Sequence, residues 1–174
     1  MIDKNKNPFE MSAEEKKRLL DSLTGTHLSV RETLDEVDLE MPVYKDTDWR
    51  VRDILGHIAT WDLEAASSLQ AYLKGSEYLI PNFDEEEDEF NEKAVLEQRK
   101  LSTQQILNEF EMAYDEFMKA IQEIPDDRFP GDMVYPWGDE RGSIIKLVEY
   151  MIEHAVEHQD EIKKAMRELQ ENKK

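Results

Sequence analysis

The chain has 174 residues and a formal net charge of −19, and it contains no cysteine. A chain of this length is expected to form one domain with a sizeable core. The negative charge repels nucleic-acid phosphates and no run of lysine and arginine offsets it, so DNA and RNA binding are not expected. The lack of cysteine excludes disulfides, catalysis by a protein thiolate and cysteine-type zinc sites. Neither a signal-peptide stretch nor an apolar run of membrane-spanning length is present, and we expect a soluble, cytoplasmic protein without a membrane partner.

The first helix is predicted to begin at Ser12, after an N-terminal tail of residues 1–11, and residues 12–174 are expected to form the single domain. Ser12 and Glu15 have the spacing of a capping box, in which each side chain satisfies a free backbone amide. His27 lies on the apolar stripe of this helix, where a hydrogen-bonded core histidine is the expected role and a contact to a metal site is the alternative. The stripe recurs with a helical period at Leu19, Leu20, Leu23, Val30, Leu34 and Val37.

The second helix is predicted from about Val51 to Leu73, with Gly75 ending it. An acidic connection over residues 76–100 follows. Its run of acidic residues at 84–89 is interpreted as a solvated linker rather than as a cation-binding tail. The part from Phe90 to Lys100 has the composition of a short helix.

A third helix is predicted to open at Ser102, which forms a second capping box with Gln105, and to end near Pro125. The segment from Pro125 to Gly142 is interpreted as a structured loop or a short hairpin. Ser143 is placed to cap a fourth helix that runs to about Leu169. No alternating strand pattern is present, so four amphipathic helices predict an all-α protein, a four-helix bundle.

Three of the four histidines stand in positions that suit metal binding. His154 and His158 are one turn apart on one helical face, although such a pair is also common on solvated surfaces. His57 lies at the edge of the second helix's apolar stripe. The three rings could form a facial set of nitrogen ligands with open positions, which is typical of a catalytic metal site. The alternative is three separate, hydrogen-bonded histidines that line a polar pocket.

Short motifs spaced along nearly the whole chain resemble the DinB/YfiT-like superfamily. The segment 49–62, WRVRDILGHIATWD, is similar to its second-helix signature. Phe90-Asn91 and the segment 98–102 resemble the middle of its ClbS/DfsB and maleylpyruvate-isomerase-like branches. The segments 135–138, YPWG, and 154–162, HAVEHQDEI, match its last helix and the loop before it. One departure is Arg50, where relatives usually carry serine or threonine, and it weakens the cap of the second helix.

The resemblance implies an up-down-down-up bundle whose long connection joins the second and third helices. It also implies a divalent metal, zinc or nickel, held by His57, His154 and His158. Relatives transfer low-molecular-weight thiols, isomerise thiol adducts or hydrolyse electrophiles, and some lack the metal. We therefore expect a metal-dependent hydrolase or thiol transferase for small electrophiles or thiol conjugates, with a low-molecular-weight thiol as co-substrate. The alternative is a non-catalytic small-molecule-binding or stress-response bundle, and either protein would be a monomer or a homodimer.

Around such a site, three carboxylates are candidates to orient the ligand rings. Glu161 lies one turn beyond His158 and has the best helical phase, whereas Asp53 and Glu157 are weaker candidates. A metal in the site can lower the pKa of a bound water or bind a substrate thiolate. Trp61 is a candidate to wall the pocket, although core packing is the role expected first for it, and Trp137 is a candidate to cover the site.

Overall fold

The computed structural model describes residues 8–45, 47–81, 83, 87–138 and 140–171, with side chains described from Ser12 onward. Residues 1–7 of the predicted tail and residues 84–86 of the acidic run therefore lie outside the described part.

Helices dominate the described residues, which confirms the predicted all-α class. In chain order the elements are α1 (Pro8–Leu34), α2 (Val51–Leu73), α3 (Glu87–Gln98), α4 (Thr103–Glu123), β1 (Asp132–Val134), β2 (Arg141–Ser143) and α5 (Ile144–Glu171). Strands β1 and β2 pair antiparallel, with Asp132 opposite Ser143 and Val134 opposite Arg141. This pairing is the short hairpin that was one of the two structures expected for the segment from Pro125 to Gly142. None of the described helices combines the length and apolar character needed to cross a bilayer.

Helix α1 begins at Pro8, so the predicted start at Ser12 is wrong. Proline is tolerated in the first turn of a helix, because the amide that it lacks would have no partner there. Ser12 lies inside the helix, and its hydroxyl donates to the backbone carbonyl of Asp126 instead of capping a turn.

The short helix predicted from Phe90 to Lys100 is α3, which begins earlier, at Glu87, so residues 87–89 of the acidic run form its first turn rather than a linker. The ends predicted at Gly75, Ser102 and Ser143 agree with the structure. Gly75 adopts a φ of 73°, a left-handed conformation that costs glycine little, directly after the last turn of α2. Ser102 accepts from the amide of Gln105 at 3.3 Å, and its own amide donates to the Gln105 side chain at 2.8 Å. Ser143 accepts from the amide of Lys146 at 3.2 Å and caps α5.

Helices α2 and α4 pack along each other with their corresponding ends adjacent. At one end, Arg52 donates to the carbonyl of Leu101 at 2.5 Å. At the other end, the hydroxyl of Tyr72 donates to the carbonyl of Arg128 at 3.0 Å. The two helices therefore run in the same direction, which requires a connection that travels back along the bundle, and α3 is part of it.

The core consists of two apolar clusters that lie one after the other along the bundle. One is built around Leu69, Phe117, Phe129, Tyr135 and Leu147, and it includes Trp61 and Met151. The other is built around Val51, Ile54, Phe110 and Ile162. Along α2, His57 falls between Ile54 and Trp61, and along α5, His154 and His158 fall between Met151 and Ile162. The three histidines thus lie where the two clusters meet.

Candidate metal centre

The imidazoles of His57, His154 and His158 converge on one point. The Nε2 atom of His154 lies 2.9 Å from the Nε2 of His57 and 3.0 Å from the Nε2 of His158. One ligand atom from each of the three residues lies within 4.8 Å of the others. The structure therefore brings together the three side chains that the sequence singled out, from two helices separated by about half of the chain.

Burial keeps two of these rings neutral. Desolvation, reinforced by the neighbouring imidazoles, lowers the pKa of His57 to about 2. Desolvation and His158 lower the pKa of His154 to about 3. A neutral imidazole carries one N–H and one lone pair, so these rings are able to donate electron pairs to a common cation at physiological pH.

Glu161 contacts the ring of His158 on the side away from the other two histidines. Its Oε2 atom lies 2.7 Å from the Nδ1 of His158, which places the ring proton on Nδ1 and leaves the Nε2 lone pair facing the other histidines. The Tyr44 hydroxyl donates to the same carboxylate and lies 3.2 Å from the same Nδ1. Glu161 therefore has the position predicted for it, next to a tyrosine that the sequence analysis did not single out.

Tyr44 reaches the site through the loop between α1 and α2. A bridge between Pro42 and Arg50 closes this loop, and the amide of Val43 donates to the carbonyl of Trp49 at 2.8 Å. Asp48 adopts a φ of 56° in the turn, a conformation that aspartate tolerates better than most residues. The conformation of this loop directs the Tyr44 ring towards α5, and no local sequence pattern predicts that conformation.

The structure places the other two candidate carboxylates elsewhere. Asp53 is buried and accepts from the guanidinium of Arg99 at 2.9 Å and from the amide of Arg50 at 2.9 Å. It thus supplies one half of a capping box at the start of α2, while the Arg50 side chain pairs with Glu40 at 2.6 Å. Glu157 is exposed on α5. The structure therefore puts neither carboxylate in the orienting role considered for it.

His27 lies in a separate environment between α1 and α4. Its Nε2 atom is 3.1 Å from a carboxylate oxygen of Glu111, and its ring stacks on Tyr114 with centroids 3.8 Å apart. Burial lowers the pKa of His27 against the opposing effect of Glu111. This is the hydrogen-bonded core histidine that was expected.

A cavity of about 600 Å³ is lined by His154 of the histidine cluster. Trp61 and Trp137, the two tryptophans predicted to wall and cover the site, both line it, with ring centroids 6.2 Å apart. The Trp61 indole donates to Asn91 at 3.0 Å, which fixes its ring. The remaining lining residues are Phe83, Glu87, Glu140, Tyr150, Met151 and His154.

Two of the three ligand-atom separations match those expected around a divalent metal ion. Two ligand nitrogens bound at 2.0–2.1 Å to one ion lie about 2.8 to 3.4 Å apart for interligand angles of about 90 to 110°. The observed Nε2 separations of 2.9 and 3.0 Å fall in this range. Imidazole ligands suit zinc and nickel. The Nδ1 atom of His154 is buried without a hydrogen-bond partner among the described residues, so the support behind this ring is weaker than that behind His158.

Comparison with known protein families places most of the chain in one of them. Residues 20–160 match the family described as mycothiol maleylpyruvate isomerase N-terminal domain. A search of curated proteins by sequence found no match.

Solved structures share the fold. The mycothiol-dependent maleylpyruvate isomerase superposes with a TM-score of 0.69 at 12% identity, covering 84% of this chain and 60% of that protein. An uncharacterised protein from Escherichia coli UTI89 gives a TM-score of 0.71 at 16% identity, covering 89% of this chain and 94% of that one. One from Clostridium difficile 630 gives 0.68 at 12% identity, covering 87% and 95%. The chain thus spans 60% of the length of the isomerase and nearly all of the other two.

Proposed function

The chain belongs to the family of mycothiol maleylpyruvate isomerase N-terminal domains, within the DinB/YfiT-like superfamily. From this membership we propose that it is a thiol-dependent metalloenzyme that acts on small electrophiles or thiol conjugates by thiol transfer or hydrolysis. The observation that carries the proposal is the convergence of three imidazole nitrogens, 2.9 and 3.0 Å apart, at the wall of an aromatic cavity.

The proposed chemistry divides between the ion and the protein. A bound zinc or nickel ion supplies Lewis acidity, which polarises a substrate oxygen or stabilises a thiolate. His57, His154 and His158 hold it without adding charge, and Glu161 fixes the ring of His158. The cavity takes the substrate and limits its contact with water.

We also propose the up-down-down-up order for α1, α2, α4 and α5. The parallel packing of α2 and α4 supports the two consecutive "down" helices of this order. Gln159 donates to the carbonyl of Ser29 at 2.7 Å and Arg18 pairs with Glu149 at 2.8 Å, so α1 and α5 also run in one direction. This order places His57 opposite the middle of α5.

The proposed setting is the cytoplasm, where low-molecular-weight thiols are kept reduced. The proposed partners are the small substrate and the thiol, with the chain acting as a monomer or a homodimer. Sedimentation of the purified protein distinguishes these two states.

Metal analysis tests the proposal directly. Protein purified without a metal-affinity tag is expected to contain about one zinc or nickel per chain by elemental analysis. After chelator treatment, zinc titration should show one tight site that His57→Ala, His154→Ala and His158→Ala each weaken severely, because two imidazoles hold an ion poorly against water. His27→Ala is the matched control, since it removes a buried histidine outside the cluster, and it should leave zinc binding unchanged.

Activity then separates the enzyme from the alternative binding protein. Metal-loaded protein should consume a thiol in the presence of small electrophiles, or hydrolyse them, and the chelator-treated protein should not. Parental zinc affinity in His57→Ala would refute the triad. A protein that binds zinc but turns over no electrophile or thiol conjugate would favour the non-catalytic bundle.

A further inference from the structure

The walls of the cavity beside the histidines are aromatic and acidic. Its lining includes Trp61, Phe83, Trp137 and Tyr150 together with the carboxylates Glu87 and Glu140, and no lysine or arginine is among the described residues that line it. Neighbouring aromatic centroids along this wall are 6.1 to 6.3 Å apart. The lining therefore combines aromatic rings and carboxylates beside the histidine cluster.

One cation of the chain already uses this combination. The Lys146 ammonium lies 4.8 Å from the centroid of the Tyr150 ring and 3.2 Å from a carboxylate oxygen of Glu140. Aromatic faces attract cations through their quadrupole, and a flanking carboxylate adds Coulomb attraction. A lysine of the protein is thus already held beside the cavity by an aromatic ring and a carboxylate that line it.

The second carboxylate that lines the cavity belongs to Glu87. Glu87 lies in the first turn of α3, is exposed and lines the cavity. A ligand with a positive group is attracted to Glu87 and an anionic ligand is repelled by it, whereas Lys146 already offsets the charge of Glu140. The overall net charge of −19 further favours cationic over anionic ligands.

We propose that the cavity selects cationic small molecules, with an ammonium or quaternary ammonium group seated between the aromatic wall and Glu87 and Glu140. The inference deepens the proposed function, because it rests on this cavity being the substrate site. The substrate then carries its reactive group towards His154 and its positive group towards the rim. A dicarboxylate is a poor ligand for the same cavity.

Nuclear magnetic resonance titration of chelator-treated protein tests the proposal without requiring the metal. The chain has three tryptophans, so three indole N–H signals report binding, and Trp61 and Trp137 line the cavity whereas Trp49 does not. The probes are choline, its uncharged isostere 3,3-dimethylbutan-1-ol, and the dianion maleate. We expect choline to shift the Trp61 and Trp137 signals and to bind at least about fivefold more tightly than the alcohol. Maleate should produce no saturable shift.

Charge-neutralising variants locate the effect. Glu87→Gln and Glu140→Gln should each weaken choline binding severalfold and leave binding of the alcohol unchanged. Glu157→Gln removes an exposed glutamate on the α5 surface away from the cavity and should change neither. Equal affinity for choline and the alcohol, or tighter binding of maleate, would overturn the inference. Since zinc titration is measured separately, loss of the metal hypothesis and loss of cation selectivity give different results.

Discussion

Glu161 links the Tyr44 loop to the ring of His158, and we expect this link to affect metal binding. Glu161→Gln removes the charge that holds the proton on Nδ1 of His158. Loss of such an outer partner typically costs about 10–100-fold in metal affinity. We expect this loss in zinc titrations of Glu161→Gln, and a smaller one in Tyr44→Phe.

Glu157→Gln is the matched control, because it changes an exposed glutamate one turn earlier on the same helix. It should bind zinc like the parent protein. If Glu161→Gln also binds zinc like the parent, the carboxylate does not orient the ring, and the contact seen at 2.7 Å has only a structural role.

Asp62 is a buried carboxyl on α2 whose protonation should couple to folding. Desolvation raises its pKa from 3.8 to about 7. The folded state therefore binds this proton more tightly than the unfolded state, and the carboxyl destabilises the fold increasingly as pH rises from about 4 to about 7. In urea unfolding, the stability of Asp62→Asn relative to the parent should increase over this interval, by up to roughly 4 kcal/mol.

Asp115→Asn provides the comparison, since Asp115 is an exposed aspartate in the interior of α4. Its stability difference from the parent should stay nearly constant over the same pH interval. A constant difference for Asp62→Asn as well would show that Asp62 is ionised at little cost in the folded protein.

At the scale of elements, the docking of α3 on α2 depends on Gly56. The Gln98 amide donates to the Gly56 carbonyl at 2.8 Å and to the Thr60 hydroxyl at 2.9 Å, next to His57. A Cβ at position 56 would lie 2.3 Å from the Gln98 side chain, so Gly56→Ala displaces it. In the Gln98→Ala background the same change should stabilise by about 0.5–1 kcal/mol, as alanine usually does in a helix.

A double-mutant cycle measures the steric conflict between a Cβ at position 56 and the Gln98 side chain. The coupling energy between positions 56 and 98 is expected to be about 1–2 kcal/mol, the size of the lost hydrogen bonds. Gly25→Ala is the control, because Gly25 lies in α1 with nothing within 4 Å of an added Cβ, and it should stabilise equally in both backgrounds. An effect of Gly56→Ala that is independent of residue 98 would show that Gln98 does not restrict this position.

Helix ends were predicted correctly where the residues that determine them lie within one turn of each other in the sequence. The ends of α2 and the start of α4 follow from Gly75 and from the Ser102 capping box, which act within one turn. The capping-box signal at Ser12 failed because the helix extends past it and the serine bonds to Asp126, 114 residues away. Tyr44 at the histidine cluster was missed for the same reason, since its position depends on how a loop packs against α5.

The histidine site was predictable in part because helical phase and family resemblance agree on the same three residues. Phase alone placed His57, His154 and His158 near a buried face, and the resemblance joined them into one site. Helical phase favoured Glu161 over Asp53 as the ring-orienting carboxylate, but it did not predict where Asp53 lies. Asp53 instead accepts from Arg99, which reaches it from the end of α3 at 2.9 Å, a tertiary contact.

At the scale of the whole molecule, charge sets which ligands can approach. The chain has 41 acidic and 22 basic residues, which gives the net charge of −19. A protein binds DNA without sequence preference mainly by neutralising phosphates with lysine and arginine. A surface with this excess of carboxylates repels the duplex, and the repulsion acts over a longer distance at low salt.

We therefore expect no mobility shift of a short DNA duplex with micromolar protein at physiological salt. Lowering the salt concentration should not reveal binding, because weaker screening increases repulsion between like charges. A basic DNA-binding protein in the same gel, which should bind more tightly as salt is lowered, verifies the assay. Binding by this protein that is tight at low salt and lost at high salt would contradict the prediction, because it would require a cluster of basic side chains strong enough to overcome the overall charge.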